Sequence, residues 1–426
     1  MRFMLLILIC LAPVAAAAGE SVRVAPDLYW VNQNSAGDPA VADRLLVQAK
    51  QAAEAGQVSA AVRLATEVLH HDPDEPTCRR VLGYELVEQD QDGVRWLTPF
   101  QARQVRRGFV WDGRFGWVKA EDLPRYEAGK RKDGRRWVSA EEDAARHATI
   151  NDGWQVRTDH FQVTTNHSLE TAATLAAELE QLLQVWRQLF AGYYLGDAEV
   201  RARFAGTRRA RAPARPFNVI YHRDKAGYVA ALRHKQPRIA ETLGIYFDDL
   251  REAHFFADPD ADRDLQRSTL YHEAVHQLFH ETKRSKPGVG AEHNFWAVEG
   301  VATYFESLTP SADGGYTIGS AAAGRLSAAR DRVREGYLVP LDAMASLGMS
   351  ELQRRDDLPS LYSQMAGAAT FLMHADDGRR RGAFVRYLRS LYAGRAKADA
   401  LWRELDESPA EVQAAYRRWL LSNPGQ

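Results

Sequence analysis

Apolar and polar residues alternate along this chain at periods that change several times. From Asp43 to Glu88 the period is helical. Ala42, Leu45, Leu46, Ala49, Ala52 and Ala53 recur every three or four positions, Gly56 interrupts, and residues 60–69 resume the pattern. Asp72-Pro73-Asp74 ends that second helix, and a third is predicted from about Thr77. Next comes a repeat. Asp92-Gly93 leads to Trp96-Leu97, Asp112-Gly113 to Trp117-Val118, and Asp133-Gly134 to Trp137-Val138, with the tryptophans 21 and 20 residues apart. Asp-Gly is a tight-turn signal and Trp-Val favours a strand, so the spacing predicts three turn–strand–helix units between about 90 and 145. Aromatics this regular are expected to fill a core. From Asn151 the order becomes strand 161–165, amphipathic helix 169–190, strand 216–221 and strand 243–247. A helix is predicted over 265–282 and a second over 296–306, with Lys286-Pro287-Gly288 breaking the chain between them. Beyond Ala321 the pattern is mostly helical, clearest at 367–374 and 384–391.

The helix at 265–282 carries His272-Glu273-Ala274-Val275-His276. Positions i and i+4 are neighbours on one helical face, so the two imidazoles can bind one zinc ion with Glu273 beside it. The pentapeptide alone is a weak signal, because 13 histidines in 426 residues give it a real chance of arising at random. A third ligand strengthens it. Glu299 lies 23 residues after His276 on the second predicted helix, room enough for a helix end, a turn and a return. Gly300 and Ala302 beside it are small enough to let those two helices pack closely. Glu306 is expected to be a solvated carboxylate or one that supports a ligand from behind, not a ligand itself. His280 continues the helix face at i+8 but drifts by about 40° per four-residue step, and is expected to stand off the metal. His293 precedes the second helix, within possible reach of a substrate.

The strings YHEAVHQLFHET and WAVEGVATYFES resemble the gluzincin branch of zinc metallopeptidases. Closer still, they are similar to a group of secreted bacterial proteins of uncharacterised function, domain-of-unknown-function family 1570; the likeness spans roughly residues 159–391. The resemblance implies a zincin-like, thermolysin-like fold, with His272, His276 and Glu299 as metal ligands and Glu273 as general base. It also points to Tyr362, 63 residues beyond Glu299, as a donor to the oxyanion formed when water attacks a carbonyl. The other possibility for Tyr362 is a half-buried core aromatic at the head of a helix. Two departures stand out. The Gly-x-Met-Glu-Asn string that aminopeptidases of this branch use for a free amine is missing, with Thr242 to Asp248 in its place, and Val298 replaces their usual asparagine. The first helices resemble one tetratricopeptide-like unit and the start of another, which would serve as a structural cap or as a partner-binding surface.

Composition narrows the setting. At 426 residues the chain exceeds a typical single core, so several domains are expected: 1–18 a signal peptide, 19–90 the helical unit, 91–148 the Trp repeats, and 149–426 the metallopeptidase-like domain. The signal peptide is legible in Arg2, the apolar run 3–11 and Ala16-Ala17-Ala18, and predicts export to the periplasm or the exterior. Net charge is −1, which gives no global pull toward nucleic acid, and no other apolar run is long enough to span a membrane. The basic run at 208–211 is expected to be a solvated loop. Only Cys78 remains after cleavage, expected as a buried structural thiol. The expectation is an α+β, exported, zinc-dependent peptidase, an endopeptidase acting on peptides or proteins. The alternative is a catalytically silent scaffold of the same fold, gripping a protein partner through its N-terminal helices.

Overall fold

The computed structural model of the chain describes residues 20–22, 37–89, 93–210, 215–311 and 315–422; the expected signal peptide lies outside them. A short strand, β1 (Glu20–Val22), precedes three helices, α1 (Pro39–Glu54), α2 (Val58–His71) and α3 (Pro76–Leu82). Their ends follow local chemistry. Asp38 caps α1 through the Ala40 amide, Glu75 caps α3 through the Cys78 amide, and Gly83 closes α3 at φ 103°, a backbone that favours glycine. Ala65, Val68, Leu69, Cys78 and Val81 form a small core of their own. The Cys78 thiol is fully buried, and burial, with Glu75 beside it, raises its pKa, so it is an inert structural thiol as expected.

Each Trp repeat is a complete hairpin followed by a short helix. The hairpins are β2 (Glu85–Gln89) with β3 (Gly93–Leu97), β4 (Phe109–Asp112) with β5 (Gly116–Lys119), and β6 (Lys130–Asp133) with β7 (Arg136–Ser139); the helices are α4 (Pro99–Arg106), α5 (Leu123–Glu127) and α6 (Ala140–Arg146). The expected Trp strands are the second of each pair. Their leading partners were not anticipated; of these, Lys-Arg-Lys-Asp of β6 carries no apolar residue. The first hairpin begins at Glu85, ahead of the boundary placed at 91. The repeat tryptophans are half-buried, and the residue after each, Leu97, Val118 or Val138, is the one in the core; Trp117 meets Trp111 edge-on at 5.8 Å, and Trp137 meets Tyr126 at 5.7 Å.

The larger unit is built on a five-stranded sheet in the order β11-β12-β10-β9-β8. Its strands are β8 (Trp154–Arg157), β9 (Phe161–Thr165), β10 (Phe217–His222), β11 (Gly244–Phe247) and β12 (Glu252–Phe256). β9, β10 and β12 run parallel, while β8 and β11 are antiparallel to their neighbours and form the two edges. β8 and β12 were not anticipated. In β12 four successive residues are buried, since an interior strand is covered on both faces and loses the two-residue alternation. Three helices punctuate these strands: α7 (Leu169–Tyr194), α8 (Asp197–Phe204) and α9 (Lys225–Leu232). Ala52, Ala53, Val58, Ala61 and Val62 of the first helices pack on Ala191, Leu195 and Val200, which seats the N-terminal unit on α7 and α8.

Two buried helices follow, α10 (Arg263–Glu281) and α11 (Phe295–Phe305). Strand β14 (Tyr316–Ile318) then pairs with β1 on one side and with β13 (Thr309–Pro310) on the other. The remainder is helical, as expected: α12 (Gly324–Arg334), α13 (Leu341–Ser346), α14 (Met349–Leu352), α15 (Leu358–Gly378), α16 (Arg381–Tyr392), α17 (Ala400–Leu405) and α18 (Pro409–Ser422). The architecture is mixed α+β. Among the described residues, no helix is long and apolar enough to cross a membrane.

Candidate metal centre

The site is assembled by two helices with no exposed face along the working stretch. Residues 269–279 of α10 and all of α11 are buried. A charged side chain in such a place needs a partner, and three polar side chains converge there. His272 and His276 stand one turn apart with their Nε2 atoms 3.2 Å from each other. Glu299, carried in by α11, places Oε2 at 3.6 Å from His272 Nε2 and Oε1 at 3.7 Å from His276 Nε2. Ligands about 2.0–2.1 Å from a tetrahedral ion stand roughly 3.3 Å apart, so these separations match a common centre. Among the described residues this is the one group of three or more such side chains close enough to hold a metal ion.

The donor set fits a cation on a further ground. Both Glu299 oxygens are buried without a hydrogen-bond donor. A carboxylate in that state costs several kcal/mol unless a positive charge meets it, roughly the price of an unpaired buried ion. His272, His276 and Glu299 could therefore hold a metal ion.

Glu306 lies outside that group and is not solvated; it takes the second of its two expected places, behind a histidine of the cluster. Its Oε1 lies 2.8 Å from His272 Nδ1, and Arg325 of α12 grips both of its oxygens. This fixes which His272 nitrogen faces Glu299. Burial lowers the His272 pKa, but Glu299 and Glu306 outweigh it and raise it to about 10. His276 has no such carboxylate behind it; burial and the charge of His272 push it well below its ordinary value.

Glu273 points to β11. Its Oε2 accepts the Tyr246 amide at 2.9 Å, while its buried Oε1 has no donor. Burial raises this carboxyl to about 7, with His272 opposing and Glu299 reinforcing. The close approach of β11 to α10 explains the glycine at 244: a Cβ there would lie 2.9 Å from the Phe255 ring and 3.2 Å from Glu273 Cγ.

Tyr362 arrives on α15 with its hydroxyl buried and free of hydrogen bonds. Burial, then the charge of Glu299, raises its pKa well above 10, and Arg325 lies 5.6 Å from its ring centre. The hydroxyl thus borders the cluster without bonding to it. Gly300 serves this approach. A Cβ there would lie 3.0 Å from the Met365 carbonyl, so the small residue admits α15 and not, as expected, α10. His280 stays off the cluster between the Tyr246 and Tyr392 rings, where burial lowers it to about 4. His293 is engaged with the Ala396 carbonyl at 2.8 Å. Sequence reasoning missed Arg325 and the Tyr246 amide, since neither belongs to a local spacing.

No family model matches the chain, and no curated protein matches it.

Proposed function

We propose that this chain is an exported, zinc-dependent peptidase of the gluzincin type with a zincin-like fold, cleaving polypeptides internally. The observation that carries the proposal is the buried Glu299 carboxylate, without donors, facing two imidazoles. His272, His276 and Glu299 would hold the zinc, which when bound supplies Lewis acidity to a water and to a carbonyl.

The remaining work falls to the chain. Glu273, anchored through Oε2, keeps Oε1 bare to take a proton from the attacking water and return it to the leaving amine. A carboxyl whose proton affinity lies near neutrality suits both transfers. Tyr362 would donate its hydroxyl, buried and without a partner, to the developing oxyanion. The edge strand β11 supports an extended substrate. Tyr246 turns its amide to Glu273 and away from β12, so by two-residue alternation the backbone of Gly244 faces the same open edge. The missing amine-holding string favours internal cleavage, and the signal-peptide pattern favours export.

The test is zinc content with a casein and peptide-library assay. Glu273→Gln should keep its zinc and lose roughly 10²–10⁴-fold in turnover. Undiminished turnover in that variant removes Glu273 from the chemistry. Zinc bound by the unaltered chain, with nothing cleaved, would instead favour the catalytically silent scaffold.

A further inference from the structure

A cavity of about 980 Å³ lies away from the metal centre, between the hairpin units, α7 and the segment that follows α10. It reaches the edge strand through Tyr246 and Asp248, so it adjoins the strand whose amide anchors Glu273. Nine basic side chains line it against six acidic ones, in a chain of net charge −1. Most of those acids are committed elsewhere: Glu199 to Arg203, Glu281 to Arg251, Asp249 to Lys235, and Glu180 to His160. Asp159 accepts the Thr98 hydroxyl.

The cations are less well served. Among the described residues Arg103, Arg157 and Lys283 have no carboxylate within ion-pair distance, and Arg187 meets the His160 ring at Nε2, 2.8 Å away, with no carboxylate in ion-pair range. Arg103 and Arg157 crowd the one ring of Phe100, at 5.8 and 5.7 Å from its centre. Two guanidiniums on one ring repel unless an anion joins them. Burial disfavours the charge on both Arg157 and Lys283, and the more distant carboxylates of Glu180 and Asp159 beside Arg157, and of Glu199 beside Lys283, offset it only in part.

We propose that this trough docks an acidic stretch of the polypeptide substrate, beside the strand that aligns the scissile region. The inference rests on the peptidase function proposed above and names its substrate class. A polypeptide is favoured over a nucleic acid because the Phe100 ring is already covered by guanidiniums, which leaves no stacking platform there for a base.

The experiment uses the full mature chain carrying Glu273→Gln, so that binding is read without turnover. Fluorescein-labelled hexaglutamate, hexalysine and an uncharged Gly-Ser peptide are titrated by anisotropy at low and high salt. Hexaglutamate alone should bind, more weakly as salt rises. Arg103→Gln with Arg157→Gln, and separately Lys283→Gln in the segment after α10, should each weaken it roughly three- to tenfold, with zinc content and thermal midpoint unchanged. No binding of hexaglutamate, affinity unchanged in both variants, or equal displacement by an oligothymidylate would overturn the proposal. Casein cleavage is scored separately, so a chain that binds hexaglutamate and cuts nothing refutes the peptidase and leaves an acidic-peptide site standing.

Discussion

Glu306 holds His272 from behind, and Arg325 holds Glu306. With its Nδ1 occupied by that carboxylate, His272 turns Nε2 toward Glu299 and His276. Removing such a support typically weakens metal binding about 10–100-fold. Glu306→Ala should therefore lose zinc affinity by that factor in a chelator competition. The same change strands the buried Arg325 charge, which costs about 3–5 kcal/mol when a buried pair is broken. Adding Arg325→Met should restore thermal stability while zinc affinity stays low. Recovery of both together would show that Glu306 matters only to the fold. The three clustered residues were legible because two of them sit at i and i+4 and the third on the next helix. Arg325 was not, because its distance from Glu306 along the chain says nothing about their 3.2 Å approach.

Helix α11 meets α15 through Gly300, and this contact brings Tyr362 to the cluster. Gly300→Val would force the helices apart, at a cost of about 1–3 kcal/mol. Chemical denaturation should register the loss, and turnover should fall more than zinc content does. A wild-type denaturation midpoint would contradict this packing. In the sheet, His222 of β10 and His254 of β12 lie 3.3 Å apart, nitrogen to nitrogen. Burial, then His254, lowers the His222 pKa to about 4. Above pH 6.5 the ring is neutral whether folded or not, so pH has no effect there. As pH falls from 6.5 to about 4 the unfolded chain takes up a proton the folded one refuses, and stability drops by up to about 3 kcal/mol, then levels off. His222→Gln should flatten that loss in urea titrations at pH 7 and 4.5; an unaltered slope would assign it to other groups. Strands β9, β10 and β11 were readable because each carries its own apolar pattern. β12 was not, since an interior strand loses the two-residue alternation, and β6 was not, since Lys-Arg-Lys-Asp has no apolar residue.

Across the chain, the N-terminal helices behave as a cap. Val58, Ala61 and Val62 cover Ala191, Leu195 and Val200. Trp111 of the second hairpin joins the same core as Val156 and α7. A chain begun at Asn151 would uncover these surfaces and should be less stable by on the order of a few kcal/mol, read as a lower thermal midpoint. An unchanged midpoint would make the preceding units independent, and favour their role as a partner-binding surface. The covering layers also create the basic trough, which neither half of the chain could form alone.

What the order of residues determined by itself is local: helix caps, the pairing of two imidazoles four positions apart, the Asp-Gly turns, and a carboxylate one helix later. Each follows from backbone geometry acting over a few residues. The tertiary structure alone decided that Glu299 loses every hydrogen-bond donor, that Glu273 is anchored by an edge strand, and that Arg325 stands behind His272. Those outcomes depend on burial and on contacts between distant segments, and both come into being only when the layers close.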